Sequence, residues 1–453
     1  MKKNTPIDYE IVSEIIKKSG FKKVGAASIR EIKHLIDIIE ERTGKKFIRM
    51  EMGIPGLPPP QIAIDAEKIA MDKGVASLYP DIEGIPELKK EISKFVKNFI
   101  DIDIPQKNCV PTVGSINGNY ATFMIIGKID KKKNSVLMIN PGFPVHKQQI
   151  KMLGLKEESF DVYNFRGNKL KDKLESFLKK GNISLILYSN PNNPTWICFT
   201  EKELKIIGNL ANKYDVIVEE DLAYIGMDFR KDLSVPGQPP FQPTVAKYTD
   251  NYILTISSSK VFSYAGQRVG MMCISDKLFK SNYENLLKYY SSANFGHSIV
   301  YGTLYNTSSG VTHSAQYGLI ALLKATNEGK YKPWKIVKEY ARRAKIAKKM
   351  FTDNGFKIVY DMDEDEPIGD GFYFTVSYPK FSGEELIEEL MYYGVSAISL
   401  SVTGSERTEG LRACVSFISD EQFPILEKRL EIFNENHKTL KSNKEFSHSD
   451  ECI

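Results

Sequence analysis

The chain has 453 residues, 62 of them basic and 57 acidic, and its formal net charge is +5. So small a net charge argues against a nucleic-acid-binding surface as the main function. No uninterrupted apolar run of about 18 residues occurs, so no membrane span is expected.

The N-terminal part predicts one helix and one connector. Residues 1–27 form a lysine-rich lead segment whose early acidic residues argue against a secretory signal peptide. Ser28 is a typical N-cap for a helix with one apolar face, and Gly44 is expected to end that helix. The Gly/Pro-rich stretch 53–60 cannot lie inside a helix, so it predicts an extended connector.

The central part predicts a βαβ pattern. An amphipathic helix is expected from Pro86, and apolar runs of strand length follow it. Most runs are continuous rather than alternating, as in strands covered on both faces, and a helix predicted over Glu201–Tyr214 separates two of them. The sheet is therefore expected to be mainly parallel. The predicted strands are Ser135–Ile139, Ile183–Tyr188, Val216–Val218, Tyr252–Ile256 and Met271–Ile274.

The pattern changes after Gly329. A long basic helix over roughly Pro333–Phe351 leads into shorter strands near Gly371–Phe374 and Gly410–Phe417. The fold class predicted is α/β, with a three-layer αβα large domain and a smaller α+β domain. The expected segments are an N-terminal extension (1–27), the helix and connector of the small domain (28–66), the large domain (67–328), the C-terminal part of the small domain (329–435) and a mobile tail (436–453).

The five cysteines show no metal-ligand spacing, so no metal is expected. Their odd number and scattered positions are typical of reduced thiols, which predicts a cytoplasmic protein. They are Cys109, Cys198, Cys273, Cys414 and Cys452.

A lysine follows one buried strand directly. Lys260 comes after Tyr252–Ile256 and three serines, and Arg268 lies eight residues further on. An ammonium is costly in an apolar place, whereas hydroxyls and a guanidinium beside it could hold an anion. A phosphate-bearing carbonyl cofactor needs an amine for a Schiff base together with such donors. A surface lysine at a strand end is the ordinary alternative.

Other strand ends carry polar residues as well. Asn190–Thr195 and Glu219–Tyr224 each follow a predicted strand, at the sheet edge where open α/β sheets bind ligands. Gly114 and Ser115 precede an apolar helix whose first amides could face an anion. The order of these segments along the chain is more specific than any one of them.

The chain resembles the class I/II aminotransferases among the fold-type I pyridoxal-phosphate enzymes, over roughly residues 28–435. This resemblance implies a pyridoxal 5′-phosphate cofactor and ping-pong transfer of an amino group between an α-amino acid and a 2-oxo acid. The matching segments, in family order, are Tyr79–Leu88, Gly114-Ser115, Asn140–Pro144, Asn192–Thr195, Asp221–Tyr224, Ser257–Lys260 with Arg268, and Leu411-Arg412.

The resemblance also implies roles at the cofactor. Lys260 would form the Schiff base and later move the substrate α-proton. Asp221 would pair with the pyridinium nitrogen, because a protonated ring is the better electron sink. Tyr224 and Asn193 would hydrogen-bond the cofactor's phenolic oxygen, and Phe143 would stack on its ring. The phosphate would be held by Gly114, Ser115, Ser257 and Arg268.

Further roles concern the substrate and a neighbouring subunit. Arg412 would clamp the substrate α-carboxylate with a bidentate fork, near Asn193, and Gly53 would let the N-terminal strand pass close to the substrate. Tyr79 would reach the phosphate of a neighbouring subunit, which implies a homodimer with shared active sites. His146 would support Asp221. Each residue alone has an ordinary reading in the core or on the surface.

The chain departs from the family in two places. Trp196 stands where a small residue usually follows Asn-Pro-Thr, and its indole could narrow the substrate pocket or pack outward. The segment 289–313 is long and aromatic, and it could form a lid, line a pocket or pack in a dimer interface. It favours an aromatic or apolar amino acid as substrate. The lack of an arginine between Arg268 and Arg342 disfavours a strict aspartate enzyme.

Three rival functions follow from the same sequence. The first keeps the cofactor but changes the reaction to that of a β-lyase, a decarboxylase or a cyclopropane-forming synthase. The second is a non-catalytic pyridoxal-phosphate sensor, for which the 27-residue lead is too short to hold a helix-turn-helix module. The third is a dinucleotide-binding dehydrogenase, which the absence of a Gly-x-Gly-x-x-Gly motif after a strand disfavours.

Overall fold

The computed structural model describes residues 4–438 of the chain. Short 3₁₀ turns and a π-helical segment at Ser298–Leu304 apart, the elements in chain order are α1 (Tyr9–Lys18), α2 (Ile29–Thr43), β1 (Ile48–Arg49), α3 (Gln61–Asp72), α4 (Pro86–Ile100), β2 (Cys109–Thr112), α5 (Ser115–Ile126), β3 (Ser135–Asn140), α6 (Pro144–Met152), β4 (Lys156–Asp161), α7 (Lys169–Leu178), β5 (Ile183–Ser189), α8 (Glu201–Tyr214), β6 (Ile217–Leu222), β7 (Tyr252–Ser257), α9 (Ser258–Val261), β8 (Gly270–Ile274), α10 (Asp276–Lys280), α11 (Phe295–His297), α12 (Tyr305–Ser308), α13 (His313–Asn327), α14 (Pro333–Val337), α15 (Glu339–Asp353), β9 (Lys357–Ile358), β10 (Met362–Asp363), β11 (Glu366–Pro367), β12 (Tyr373–Ser377), α16 (Gly383–Tyr392), β13 (Val395–Ser396), β14 (Ile398–Ser399), β15 (Leu411–Cys414) and α17 (Phe423–Lys438).

Two compact units divide these elements. The larger unit contains Ile54–Ala341 together with Asp361–Gly371, and the smaller unit contains the chain up to Gly53, Arg342–Tyr360 and the chain from Phe372. The larger unit thus begins before residue 67 and ends after residue 328. It takes in α3 because this helix packs against α13.

The larger unit is built on a seven-stranded sheet in the order β2-β8-β7-β6-β5-β3-β4. β8 runs antiparallel to both of its neighbours, and all other pairs are parallel. Every residue of β3, β5, β6, β7 and β8 is buried, as expected for strands covered on both faces. The α/β class and the mainly parallel sheet predicted from the apolar runs are confirmed.

The smaller unit contains a four-stranded antiparallel sheet in the order β14-β15-β12-β9. Its helix α2 begins at the Ser28 capping box and ends at Gly44, which has φ 65°. The lead segment also forms a helix, α1, which buries Val12 and Ile15. At the C-terminus, α17 continues to Lys438, so residues 436–438 of the predicted tail are helical. From residue 439 on, that tail lies outside the described residues.

The predicted helix over Pro333–Phe351 is two helices, α14 and α15, divided at Lys338. Trp334 and Tyr340, six positions apart, are both buried. At about 100° per residue, one straight helix would place these two side chains about 120° apart around its axis. The prediction of a single helix missed the interruption at Lys338.

A buried ion-pair network attaches Asp361–Gly371 to the rest of the larger unit. The Asp363 carboxylate accepts from Arg166 at 2.8 Å and from Arg230 at 2.7 Å. Its other contact is the Cys198 backbone N–H, at 3.2 Å. Arg166 also forms two hydrogen bonds with Glu203, which caps α8. Asp363 is thus the acceptor that joins two cations.

Replacing Asp363 with alanine is expected to lower the free energy of unfolding by about 2–3 kcal/mol, because it leaves the buried Arg166 guanidinium with one carboxylate partner instead of two. Glu366→Ala is the matched control. Glu366 is 77% exposed and 3.8 Å from Arg230, so a change within about 1 kcal/mol is expected. Denaturant unfolding of both variants measures the difference. Equal losses would contradict a structural role for the buried network.

Candidate active site

Three neighbouring parallel strands deliver the predicted catalytic residues to one sheet edge. Asn193 follows β5, Asp221 lies near the end of β6, and Lys260 lies in α9 directly after β7. Asp221 pairs with Ser189 on one side and with Thr255 on the other. The sequence prediction that these segments meet at the carboxyl ends of the strands agrees with this register.

Asp221 occupies a buried position beside a buried histidine. Its carboxylate accepts from the Ala223 backbone N–H at 3.0 Å, and His146 Nε2 lies 4.0 Å from its Oδ2. Burial raises the pKa of Asp221 to about 7. Burial also lowers the pKa of His146 to about 4. A cationic group placed opposite Asp221 would favour the charged carboxylate and so reverse the first of these shifts.

A candidate anion cradle lies where β2 passes into α5. Gly114 has φ 71°, and no side chain caps the helix that begins at Ser115. A Cβ added to Gly114 would lie 2.5 Å from the Arg268 guanidinium and would push the end of that side chain away, and the positive φ itself favours glycine. The helix amides and the guanidinium therefore converge on one place. Ser257 is buried, and its hydroxyl accepts from the Ser259 backbone N–H at 3.1 Å.

For the pyridoxal phosphate that the resemblance implies, replacing Gly114 with alanine is expected to raise the dissociation constant by about tenfold or more, because the methyl group displaces Arg268. Gly154→Ala is the matched control, since Gly154 has φ 69° but no atom within 4 Å of an added Cβ. Absorbance titration of both variants gives the constants. The same loss of affinity in both would show that backbone strain alone is responsible.

The Trp196 indole packs inward. It is fully buried, and its ring lies edge-on to the Tyr224 ring with the centroids 5.4 Å apart. Trp196 has φ 68°, a conformation that favours glycine, which explains why a small residue suits this position. Asn193, three positions before Trp196, is also buried, and its backbone N–H donates to Ser189 Oγ at 3.2 Å.

Arg412 and Gly53 lie in the smaller unit. The Arg412 guanidinium is buried, donates to the Glu51 carbonyl and lies 4.4 Å from the Tyr373 ring centroid. A Cβ on Gly53 would lie 2.0 Å from Tyr373 Oη, so this close approach also requires glycine. Sequence reasoning missed Tyr373. Its position in β12, paired with the strand that carries Arg412, is a signal that could have found it.

Other predicted residues lie elsewhere in the larger unit. Phe143 contacts His146 edge-on, with the ring centroids 5.4 Å apart. Tyr79 is 91% exposed and lines an open groove of about 730 Å³ together with Tyr301. In the aromatic segment 289–313, the aliphatic residues Ile299, Val300 and Leu304 belong to the core, whereas the rings of Tyr289, Tyr301 and Tyr305 are exposed.

A buried polar cluster beneath Asp221 was not predicted. Glu219 lies two residues earlier on the same face of β6 and accepts from Asn119 at 3.0 Å. The same Asn119 amide lies 3.2 Å from Thr255 Oγ1. Burial, with the nearby Asp221, raises the pKa of Glu219 well above its usual range. The alternation of side chains along a strand is the signal that pairs Glu219 with Asp221.

Neither a metal cluster nor a membrane helix is present in the described part of the chain. Residues 4–438 contain no group of three or more His, Cys, Asp or Glu side chains suited to a metal ion. None of the helices in that range is long and apolar enough to cross a membrane. Cys109, Cys198, Cys273 and Cys414 are free thiols, and Cys452 lies outside the described residues.

A family model described as aminotransferase class I and II matches residues 45–430. The chain belongs to this family. It is 26% identical over 419 residues to a protein of Methanocaldococcus jannaschii named probable aspartate aminotransferase, covering 92% of this chain and 98% of that relative. It is 29% identical over 248 residues to aromatic-amino-acid aminotransferase 2 of Thermococcus litoralis, covering 53% of this chain and 60% of that relative.

The fold of this aminotransferase is also found in solved structures. The aspartate aminotransferase of Thermotoga maritima superposes with a TM-score of 0.72 at 20% identity, covering 93% of this chain and 99% of the other. This likeness shows the fold-type I architecture. The family match and the curated relatives make the chain an aminotransferase enzyme, as the resemblance implied.

Proposed function

We propose that this aminotransferase uses pyridoxal 5′-phosphate, attached through Lys260 and anchored by its phosphate at Gly114, Ser115, Ser257 and Arg268. The observation that carries the proposal is the close approach of the Arg268 guanidinium to Gly114 at an uncapped helix start. Such a cradle suits a phosphate dianion. It belongs to the same unit as Asp221 and Lys260.

When bound, the cofactor supplies an electron sink for the carbanion that forms at the substrate α-carbon. Asp221 is then the counter-charge for the ring nitrogen, since a buried carboxylate with a pKa near 7 ionises readily beside a cation. His146 would support Asp221, since its Nε2 lies 4.0 Å from the Asp221 Oδ2. Tyr224 and Asn193 would hold the phenolic oxygen, and Phe143 would cover the ring.

Lys260 has a second task in this proposal. With the substrate amine in its place at the cofactor, the Lys260 amine would be free to take up and give back the substrate α-proton. Two half-reactions, in which an amino acid is followed by a 2-oxo acid, would make up the ping-pong exchange. The residue lies on the short helix α9, directly after β7.

The substrate carboxylate is proposed to bind Arg412. The buried guanidinium is held by the Glu51 carbonyl and the Tyr373 ring, and this fixed fork suits a planar carboxylate. The absence of arginine between Arg268 and Arg342 and the aromatic segment 289–313 favour an aromatic or apolar amino donor. We also propose a cytoplasmic homodimer in which Tyr79 reaches the site of the neighbouring subunit, which its high exposure would permit.

A half-reaction tests this proposal. Protein loaded with pyridoxal phosphate is mixed with one amino acid at a time, without an acceptor, and the products are analysed by mass spectrometry. One equivalent of the matching 2-oxo acid and of pyridoxamine phosphate is expected, most readily from phenylalanine, tyrosine or leucine. Release of carbon dioxide or ammonia in place of the 2-oxo acid would support a decarboxylase or lyase. No product from any amino acid would contradict amino transfer.

A further inference from the structure

The chain has two tryptophans, and they flank the turn that carries Tyr224. The turn follows β6 within the larger unit. On one side, the Trp196 indole contacts the Tyr224 ring edge-on at 5.4 Å. On the other side, Trp334 Nε1 donates to the carbonyl of Ile225, the next residue in the turn, at 2.9 Å. The Trp196 indole therefore limits the positions open to the Tyr224 ring, and the Trp334 indole holds the backbone of the turn at the next residue.

Each indole faces a glycine that cannot be enlarged. A Cβ on Gly371 would lie 1.9 Å from the Trp196 ring. A Cβ on Gly226 would lie 2.1 Å from Trp334 Nε1, and Gly226 has φ 67°. Atoms cannot approach so closely, so both positions are matched to the indole beside them. The Tyr224 ring and the backbone of its turn are thus each in contact with one of the two indoles.

Trp196 itself has an unfavourable backbone. A φ of 68° is uncommon for a residue with a bulky side chain, and it persists only where the surroundings determine it. Hydrogen bonds from two backbone N–H groups hold this conformation. The Trp196 N–H donates to the Asn192 carbonyl at 2.9 Å, and the Cys198 N–H donates to the Asp363 carboxylate. Strained residues of this kind cluster at active sites, where geometry matters more than stability.

We propose that Trp196 and Trp334 are positioning residues for Tyr224, which together fix its phenol in the single orientation that meets the cofactor. The inference rests on the proposed function, because it assigns the tyrosine hydroxyl to the cofactor's phenolic oxygen. Neither indole needs to touch the cofactor. Loss of either indole lets the Tyr224 phenol move away from the cofactor. This weakens the hydrogen bond from Tyr224 to the cofactor's phenolic oxygen without removing the hydroxyl.

The test uses the pH midpoint of the visible absorption band of the cofactor-loaded protein. The midpoint reports protonation of the Schiff-base nitrogen that joins Lys260 to the cofactor. A hydrogen bond donated to the cofactor's phenolic oxygen disfavours that protonation, so Tyr224→Phe is expected to raise the midpoint by about one pH unit. Trp196→Phe is expected to raise it by at least half as much, and Trp334→Phe by a smaller amount. Asp221, His146 and Lys260 are unchanged in these variants.

A double-mutant cycle separates positioning from general destabilisation. If Trp196 acts through Tyr224, then Trp196→Phe adds no further shift once Tyr224 is already phenylalanine. Phe160→Leu is the matched control, because this buried ring lies in the edge strand β4 and packs against Phe165 and Phe177. It is expected to lower stability without moving the midpoint.

Different failures have different meanings. If Tyr224→Phe leaves the midpoint unchanged, the proposed cofactor contact of Tyr224 fails. If Tyr224→Phe shifts the midpoint and Trp196→Phe does not, or if the two shifts add, the positioning role is overturned while the proposed function stands.

A measurement that leaves both tryptophans in place covers the case in which Trp196→Phe does not fold. Protein labelled with 5-fluorotryptophan should show two fluorine resonances, which the single variant Trp334→Phe assigns. Cofactor loading is expected to move the Trp196 resonance, and Tyr224→Phe is expected to reduce that movement by more than half. A movement that is the same with and without the Tyr224 hydroxyl would overturn the inference.

Discussion

Replacing Lys260 with alanine is expected to reduce amino transfer by about 10⁴-fold or more, because the variant loses both the covalent attachment and the proton-carrying amine. Arginine at this position would keep the charge but supply no nucleophile at neutral pH, so Lys260→Arg should be equally inactive. Lys277→Ala, at an exposed lysine of α10, is the control and should keep full activity. Steady-state assays with the best donor measure all three.

Both inactive variants should still bind pyridoxal phosphate non-covalently, since the phosphate cradle is intact. They should therefore differ from Gly114→Ala, in which the affinity itself falls. Activity above about one per cent in Lys260→Ala would show that another group moves the proton and would remove Lys260 from the mechanism.

Asp221→Asn is expected to have opposite effects on function and on stability. Amino transfer should fall by about 10³-fold, because asparagine cannot carry the charge that stabilises a protonated ring nitrogen. The cofactor-free protein should instead become more stable above pH 7. The native pKa of Asp221 is raised to about 7, so at pH values below 7 the wild-type native state still holds a proton that the unfolded state has lost.

The sign follows from the protons bound in each state. Between about pH 4 and pH 7 the native carboxyl stays protonated while the unfolded one ionises, so wild-type stability falls as the pH rises through this window. Asparagine does not titrate, so the stability of the Asp221→Asn variant has no such contribution. Its gain in free energy of unfolding over wild type therefore grows up to pH 7 and then stays constant. Thermal unfolding of the cofactor-free proteins at pH 5 and pH 8 measures it.

Glu220→Gln is the control for this prediction. Glu220 lies on the opposite face of β6, where it contacts Thr244 and Asn190, and burial also raises its pKa to about 7. This variant should change the pH dependence of stability while keeping amino transfer. If Asp221→Asn were as active as Glu220→Gln, Asp221 would have no role at the cofactor.

The sheet could be predicted because its physics is local. Strands covered on both faces need continuous apolar runs, and the runs at 135–139, 183–188 and 252–256 contain no alternative signal. The break between α14 and α15 could not be predicted in the same way. It depends on which partners bury Trp334 and Tyr340, and a helical pattern alone does not encode them.

The candidate site shows the same division. Residues at or just after the ends of strands, such as Asp221 and Lys260, could be placed at one edge because parallel strands share their direction. The orientation of Trp196 could not be inferred, since it depends on a backbone conformation unusual for tryptophan and on Gly371, which is distant in sequence. Asp363 likewise lies in the acidic stretch 361–366, a composition typical of a solvated loop, although Arg166 and Arg230 contact its buried carboxylate.

The most direct measurement is chemical trapping of the cofactor. Wild-type protein is incubated with pyridoxal phosphate, reduced with borohydride and digested, and the peptides are analysed by mass spectrometry. One phosphopyridoxyl group per chain is expected, on Lys260, with no label there after prior incubation with a good amino donor. A colourless protein that leaves Lys260 unmodified, or a label spread over surface lysines, would contradict attachment of the cofactor through Lys260.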